Sequence, residues 1–126
     1  PDCAVISEPL PWMNGTMVDI GSARSSLCFQ LASKGVACGT HKTVNVYCFS
    51  HPSWRRSIGR LNQHIAQGKV NDFYEVVLAS MVDAGELRLA PVVYPQHDWY
   101  EIDTADDLIA AQHLLQHRSD AFRCDR

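Results

Sequence analysis

No hydrophobic run in this chain approaches the length needed to cross a bilayer. An excess of positive charge is also missing: 11 Lys and Arg stand against 14 Asp and Glu, for a net charge of −3. General affinity for nucleic acid or an anionic membrane is therefore not expected, although a small phosphorylated ligand needs only one or two local cations. There is no Walker loop, no dinucleotide fingerprint and no G-x-S-x-G elbow. Gly15, Gly21, Gly35 and Gly39 are too scattered to cradle a phosphate together. No internal repeat or low-complexity segment is visible. His113 and His117 stand four apart without a nearby acid, a spacing better suited to a solvated helix face than to a zinc site. C-x-x-C is absent, and the 5 cysteines, Cys3, Cys28, Cys38, Cys48 and Cys124, are odd in number. With no secretory segment either, reduced thiols in a cytoplasmic protein are expected. The chain opens at Pro1 without a methionine, which points to processing or a missing front portion.

What is present is enough to fold. The 126 residues fit one domain or part of a larger one, and 46% hydrophobic content with 20% charge argues against disorder. The apolar run Cys3–Ser7 reads as a buried strand. Asn14-Gly15 marks a turn, the alternation to Ile20 a second strand, and Leu27–Leu31 its return across a small polar tip. A loop is expected over residues 32–40. Thr43–Phe49, β-branched and aromatic, is the strongest strand. Lys42 stands at its entrance. A lysine there is ordinarily solvated, but would contact phosphate if the mouth faces a pocket. Asn45 is polar in mid-strand; if buried, its amide needs partners, and a ligand is one way to supply them.

Helices follow. Ser50-His51-Pro52 opens the first, on which Trp54, Ile58, Leu61 and Ile65 form an apolar stripe, with Arg55, Arg56 and Arg60 largely off it and Gly68 near its end. Asp72 and Glu75 have the spacing of a capping box for a second helix that puts Phe73, Val76, Val77 and Met81 toward the core. Glu75 could instead meet a cationic substrate group. Leu87–Val93 reads as a strand, placed at an edge by Pro91.

The stretch from Trp99 to Leu108 concentrates the most chemistry. It reads as a short strand running into a helix that carries Leu108, Ala111 and Leu115 on one face. Thr104 and Asp107 have capping-box spacing, and Asp106 and Asp107 suit the first turn of a helix. Asp103 lies outside that cap. It is balanced between a turn residue and a carboxylate at a strand end, a common place to hold a divalent metal against a nucleotide phosphate. The resulting expectation is an α/β fold with a β-hairpin insertion over residues 1–118 and a polar tail over 119–126.

Three stretches together resemble a known family: Pro11–Val18, Lys42–Ser50, and Trp99–Thr104 with Asp107-Leu108. Their order and spacing are similar to the carboxy-terminal half of the sugar-phosphate-type nucleotidyltransferases, closest to the cytidylyltransferases acting on phosphocholine or aminoalkylphosphonates. The resemblance implies part of a Rossmann-like sheet whose complete form moves a cytidylyl group from CTP to a phosphate or phosphonate oxygen, with Mg2+ as cofactor. On matching positions it implies Asp103 as a magnesium ligand and Lys42 as a contact to the acceptor phosphate. It also implies Asn45, Glu75, Trp99 and Tyr100 as residues shaping the acceptor pocket. In that family an amino-terminal glycine-rich loop holds the nucleotide, and the second motif carries an aspartate where Asn14 stands here. The match is thus to the acceptor half, with the nucleotide half supplied by a missing amino-terminal portion or a second chain. The alternative is a non-catalytic α/β binding or assembly module derived from the same fold, whose exposed sheet edges favour a homodimer.

Overall fold

The computed structural model describes residues 1–10, 15–21, 26–30, 39–96 and 98–123, except for the side chains of 115 and 117–123. The expectations for residues 11–14, the 22–25 hairpin tip, Leu31, most of the 32–40 loop, the side chain of Leu115 and the histidines at 97 and 117 lie outside that set. Among the described residues, five strands and three helices make an α/β arrangement: β1 (Cys3–Ser7), β2 (Met17–Ile20), β3 (Leu27–Gln30), β4 (His41–Cys48), α1 (His51–Ala66), α2 (Tyr74–Asp83), β5 (Ala90–Val93) and α3 (Ala105–Arg123). No helix among the described residues is long and apolar enough to cross a membrane.

The chain separates into two units, Pro1–Tyr94 and Pro95–Arg126. The first holds one mixed sheet in the order β3-β2-β4-β1-β5. β2 and β3 pair as the expected hairpin, β4 runs antiparallel to both β2 and β1, and β5 alone is parallel to β1. β5 is an edge strand, as Pro91 requires, because proline has no amide to give to a further neighbour. It is shorter than the sequence suggests: Leu87 and Leu89 are buried but precede the strand. Ala4, Ile6, Val18, Leu27 and Phe29 supply the sheet side of the core, and Val77, Leu78 and Met81 supply the α2 side. Phe73, expected on that face, is instead 78% exposed.

α1 forms where Pro52 and the apolar spacing place it, but of its apolar stripe Leu61 packs against the core while Trp54, Ile58 and Ile65 stay exposed. Trp54 is 49% and Ile65 56% exposed, whereas Ser53 and Ser57 are buried. Ser53 is drawn inward by the Asp2 carboxylate, which accepts bonds from the Ser53 hydroxyl and the Ser50 amide. Asp2, reaching from just ahead of β1, therefore serves as the cap of α1, for Ser50 itself makes no side-chain cap. The small serines also let the helix lie close, which a row of large side chains would prevent.

The Asp72–Glu75 capping box does not form. α2 begins at Tyr74 without a side-chain cap, and the Asp72 carboxylate pairs with His64 Nε2 at 2.8 Å. A histidine near the end of α1 thus outcompetes the backbone amides for that carboxylate. The strand expected before α3 does not form: residues 99–102 have no regular structure. The capping box at its start is formed, with the Thr104 amide donating to Asp107 Oδ2 at 2.8 Å and the Asp107 amide donating to Thr104 Oγ1 at 3.2 Å. α3 continues through Arg123, past the point where a polar tail was expected.

Candidate functional site

β4 carries an irregular backbone. Ala4 pairs with Tyr47 and Ile6 with Thr43, so Val5 alone spans the gap filled on β4 by Val44, Asn45 and Val46. Asn45 takes up the slack with φ of 58°, the left-handed region that asparagine tolerates better than most residues. A bulge of this kind shifts the phase of the strand and re-aims its side chains. Asn45 is exposed rather than buried, and its Oδ1 accepts a hydrogen bond from the Tyr74 hydroxyl at 3.1 Å.

Four aromatic rings extend from that contact. Tyr74 meets Tyr47 edge to face with centroids 5.9 Å apart. Tyr47 stacks on Phe49 at 6.0 Å, and Phe49 lies 6.1 Å from Trp54. Glu75, the residue after Tyr74, is buried at 5% exposure. Its carboxylate acts on both phenols. Burial first, and then Glu75, push the Tyr47 hydroxyl up to about 12. Burial, Tyr47 and Glu75 push Tyr74 far above the usual phenol range. The Tyr47 hydroxyl has Thr43 and Tyr74 beside it, yet neither is in full hydrogen-bonding geometry. A buried carboxylate beside two ring systems is a setting that favours a cation.

Lys42 lies on the same strand and is not solvated, as a lysine at a strand mouth ordinarily is. It is 1% exposed, and its Nζ donates to the Thr43 carbonyl at 3.4 Å, a long bond that is not its only interaction. The ammonium packs under Gly15. A Cβ built on Gly15 would stand 2.9 Å from Lys42 Cε and 3.0 Å from Nζ, and Gly15 itself has φ of 126°. Because Gly15 is exposed, the buried ammonium lies one residue beneath the surface.

Lys42, Asn45 and Glu75 therefore all lie in the first unit, and the last two meet through Tyr74 and Tyr47. Trp99, Tyr100 and Asp103 belong to the second unit, where both rings are half-buried and Asp103 is exposed. The Asp103 amide donates to Asp107 Oδ2 at 3.2 Å. The Asp107 carboxyl is held below its usual range by the Thr104 hydroxyl first and the two backbone amides after it. Among the described residues no group of three or more His, Cys, Asp or Glu side chains could hold a metal ion. Among these residues Asp103 offers a single carboxylate to an ion that arrives with phosphates.

An open cleft of about 280 Å³ lies between the end of α1 and the start of α2. It includes Tyr74, His64 and Asp72, but not Lys42, Asn45 or Glu75. Tyr47 and Tyr74 were not singled out in the sequence, and Gly15 only as part of a turn. Strand alternation puts Asn45 and Tyr47 on one face, but no local spacing brings Tyr74, on α2, to either of them. Comparison with protein-family models, with curated proteins and with solved structures finds no match for this chain.

Proposed function

We propose that this chain is the acceptor-binding half of a nucleotidyltransferase that moves a cytidylyl group from CTP to a small phosphorylated or phosphonate molecule bearing an amine. The observation that carries the reading is Glu75, a buried carboxylate set against Tyr47 and Tyr74 at the Asn45 bulge, on the strand that also holds Lys42. An ammonium headgroup satisfies the carboxylate and faces the rings, while Lys42 offsets the acceptor's phosphate charge.

The reaction is an in-line displacement. An acceptor phosphate or phosphonate oxygen forms a bond to the α-phosphorus of CTP, and the bond to the bridging oxygen breaks, releasing pyrophosphate. Magnesium arriving with the nucleotide would supply charge neutralisation, and Asp103 would offer it one carboxylate. Lys42 and Glu75 contribute by gathering and orienting the acceptor. The nucleotide is held by a glycine-rich segment that this sequence does not contain.

The test is pyrophosphate release by the protein purified from its native source and supplied with CTP, magnesium and phosphocholine. Lys42→Met and Asp103→Ala are each expected to lower the rate by about a hundredfold or more, with circular dichroism confirming that each is folded. Equal rates in the variants would contradict the assignment. A second reading, a non-catalytic binding or assembly module, is favoured by one feature: edge strand β5 carries Val92 and Val93 at 44% and 58% exposure. An unpaired apolar edge is a template for association.

A further inference from the structure

We propose that Cys3 and Cys48 form a reversible thiol–disulfide pair, a modification site whose oxidant is a low-molecular-weight disulfide. The antiparallel register of β1 and β4 sets Cys3 directly opposite Cys48. Opposed residues in such a pair project to the same face, with Cα atoms about 4.5–5.5 Å apart, inside the range over which disulfides close. The neighbouring pair, Ala4 and Tyr47, packs into the core, so the two cysteines occupy the other face. The register is held on both sides of the pair: inward by Ala4 and Tyr47, outward by the Asp2 carboxylate bonded to the Ser50 amide.

Access differs in a useful way. Both sulfurs are free thiols; Cys48 is exposed and Cys3 partly covered. Cys28, the other described free cysteine, stands on β3, with β2 between it and β4. The Cys48 thiolate attacks one sulfur of the reagent, breaking its S–S bond and releasing one thiol. The Cys3 thiolate then attacks Cys48 Sγ, releasing the second thiol and closing the protein disulfide. Two protein thiols lose two electrons, the reagent disulfide gains them, and the two protons pass to the released thiols. Cross-strand bridges between rigid strands are strained, which makes them easy to reduce. The inference does not depend on the acceptor reading.

The experiment incubates the full chain with oxidised glutathione, alkylates the remaining thiols and maps the peptides by mass spectrometry. Alkylation of Cys3 and Cys48 is expected to fall about tenfold relative to protein kept in dithiothreitol, with a Cys3–Cys48 cross-linked peptide that a reductant removes. Glutathione adducts on Cys48 with no cross-link would overturn the proposal, as would Cys48 bridged to Cys28, Cys38 or Cys124. Cys3→Ser supplies the second measurement. It is expected to trap glutathione on Cys48, and Cys48 adducts no more abundant than in the unaltered chain would likewise overturn it.

Discussion

Gly15 and Lys42 pose the sharpest residue-scale question, because a buried ammonium is costly and this one depends on a neighbour with no side chain. Gly15→Ala combines a disfavoured φ with a Cβ pressed on the Lys42 side chain, and is expected to destabilise the fold by about 1–3 kcal/mol, read from urea unfolding. Tyr47 makes a second prediction. Its phenol is raised to about 12 from the usual 10.0, so the folded state holds its proton longer than the unfolded chain does. This contribution to stability is intact below pH 10.0 and declines as pH rises toward about 12. Tyr47→Phe is expected to weaken that alkaline decline. It also removes a buried hydroxyl without a good partner, raising stability at neutral pH by about 1 kcal/mol. The check is urea midpoints across the alkaline range. Sequence reading reached Lys42, Asn45 and Glu75 as chemically loaded positions, but not their surroundings. The burial of Lys42 follows from Gly15, twenty-seven positions earlier in the chain, and the Tyr74–Asn45 bond from a bulge that no alternation pattern announces.

At the scale of elements, local signals succeeded where no long-range competitor existed. The Thr104–Asp107 capping box formed because both partners are its own neighbours. The Asp72–Glu75 box has equally good spacing but failed, since His64 claims the Asp72 carboxylate and Glu75 turns inward. The apolar stripe of α1 predicted its existence and extent but not its buried line, which Asp2 sets by drawing in Ser53. That clamp carries its own prediction. Burial alone would raise the Asp2 carboxyl, but the bonds from Ser53 and Ser50 outweigh it and hold it below its ordinary value of 3.8. The stabilisation is therefore present above that value and is lost as pH falls through the lower folded value. Asp2→Ala is expected to speed hydrogen exchange of the Ser50 and Trp54 amides several-fold, with little change in α3. Unaltered exchange at the start of α1 would show that the clamp is not what holds it.

On the scale of the whole molecule, the α/β class, the hairpin and the edge position of β5 were legible from strand punctuation and one proline. The parallel pairing of β5 with β1 was not, for it joins residues separated by both helices. The separation into Pro1–Tyr94 and Pro95–Arg126 was not legible either, because Pro95 interrupts a stretch that reads as continuous polar and aromatic sequence. Lys42, Asn45 and Glu75, on which the proposed function rests, all belong to the first unit. The central claim is that Glu75 and Lys42, both buried in the first unit, act on the opposite charges of one small zwitterion. The direct measurement is calorimetric titration of phosphocholine into the full chain and into Glu75→Gln and Lys42→Met, with circular dichroism to confirm that each is folded. The account predicts saturable binding that weakens by about tenfold or more in either variant, with Glu75→Gln losing preference for phosphocholine over inorganic phosphate. Absence of binding by the unaltered chain, or equal affinity in folded variants, would contradict it.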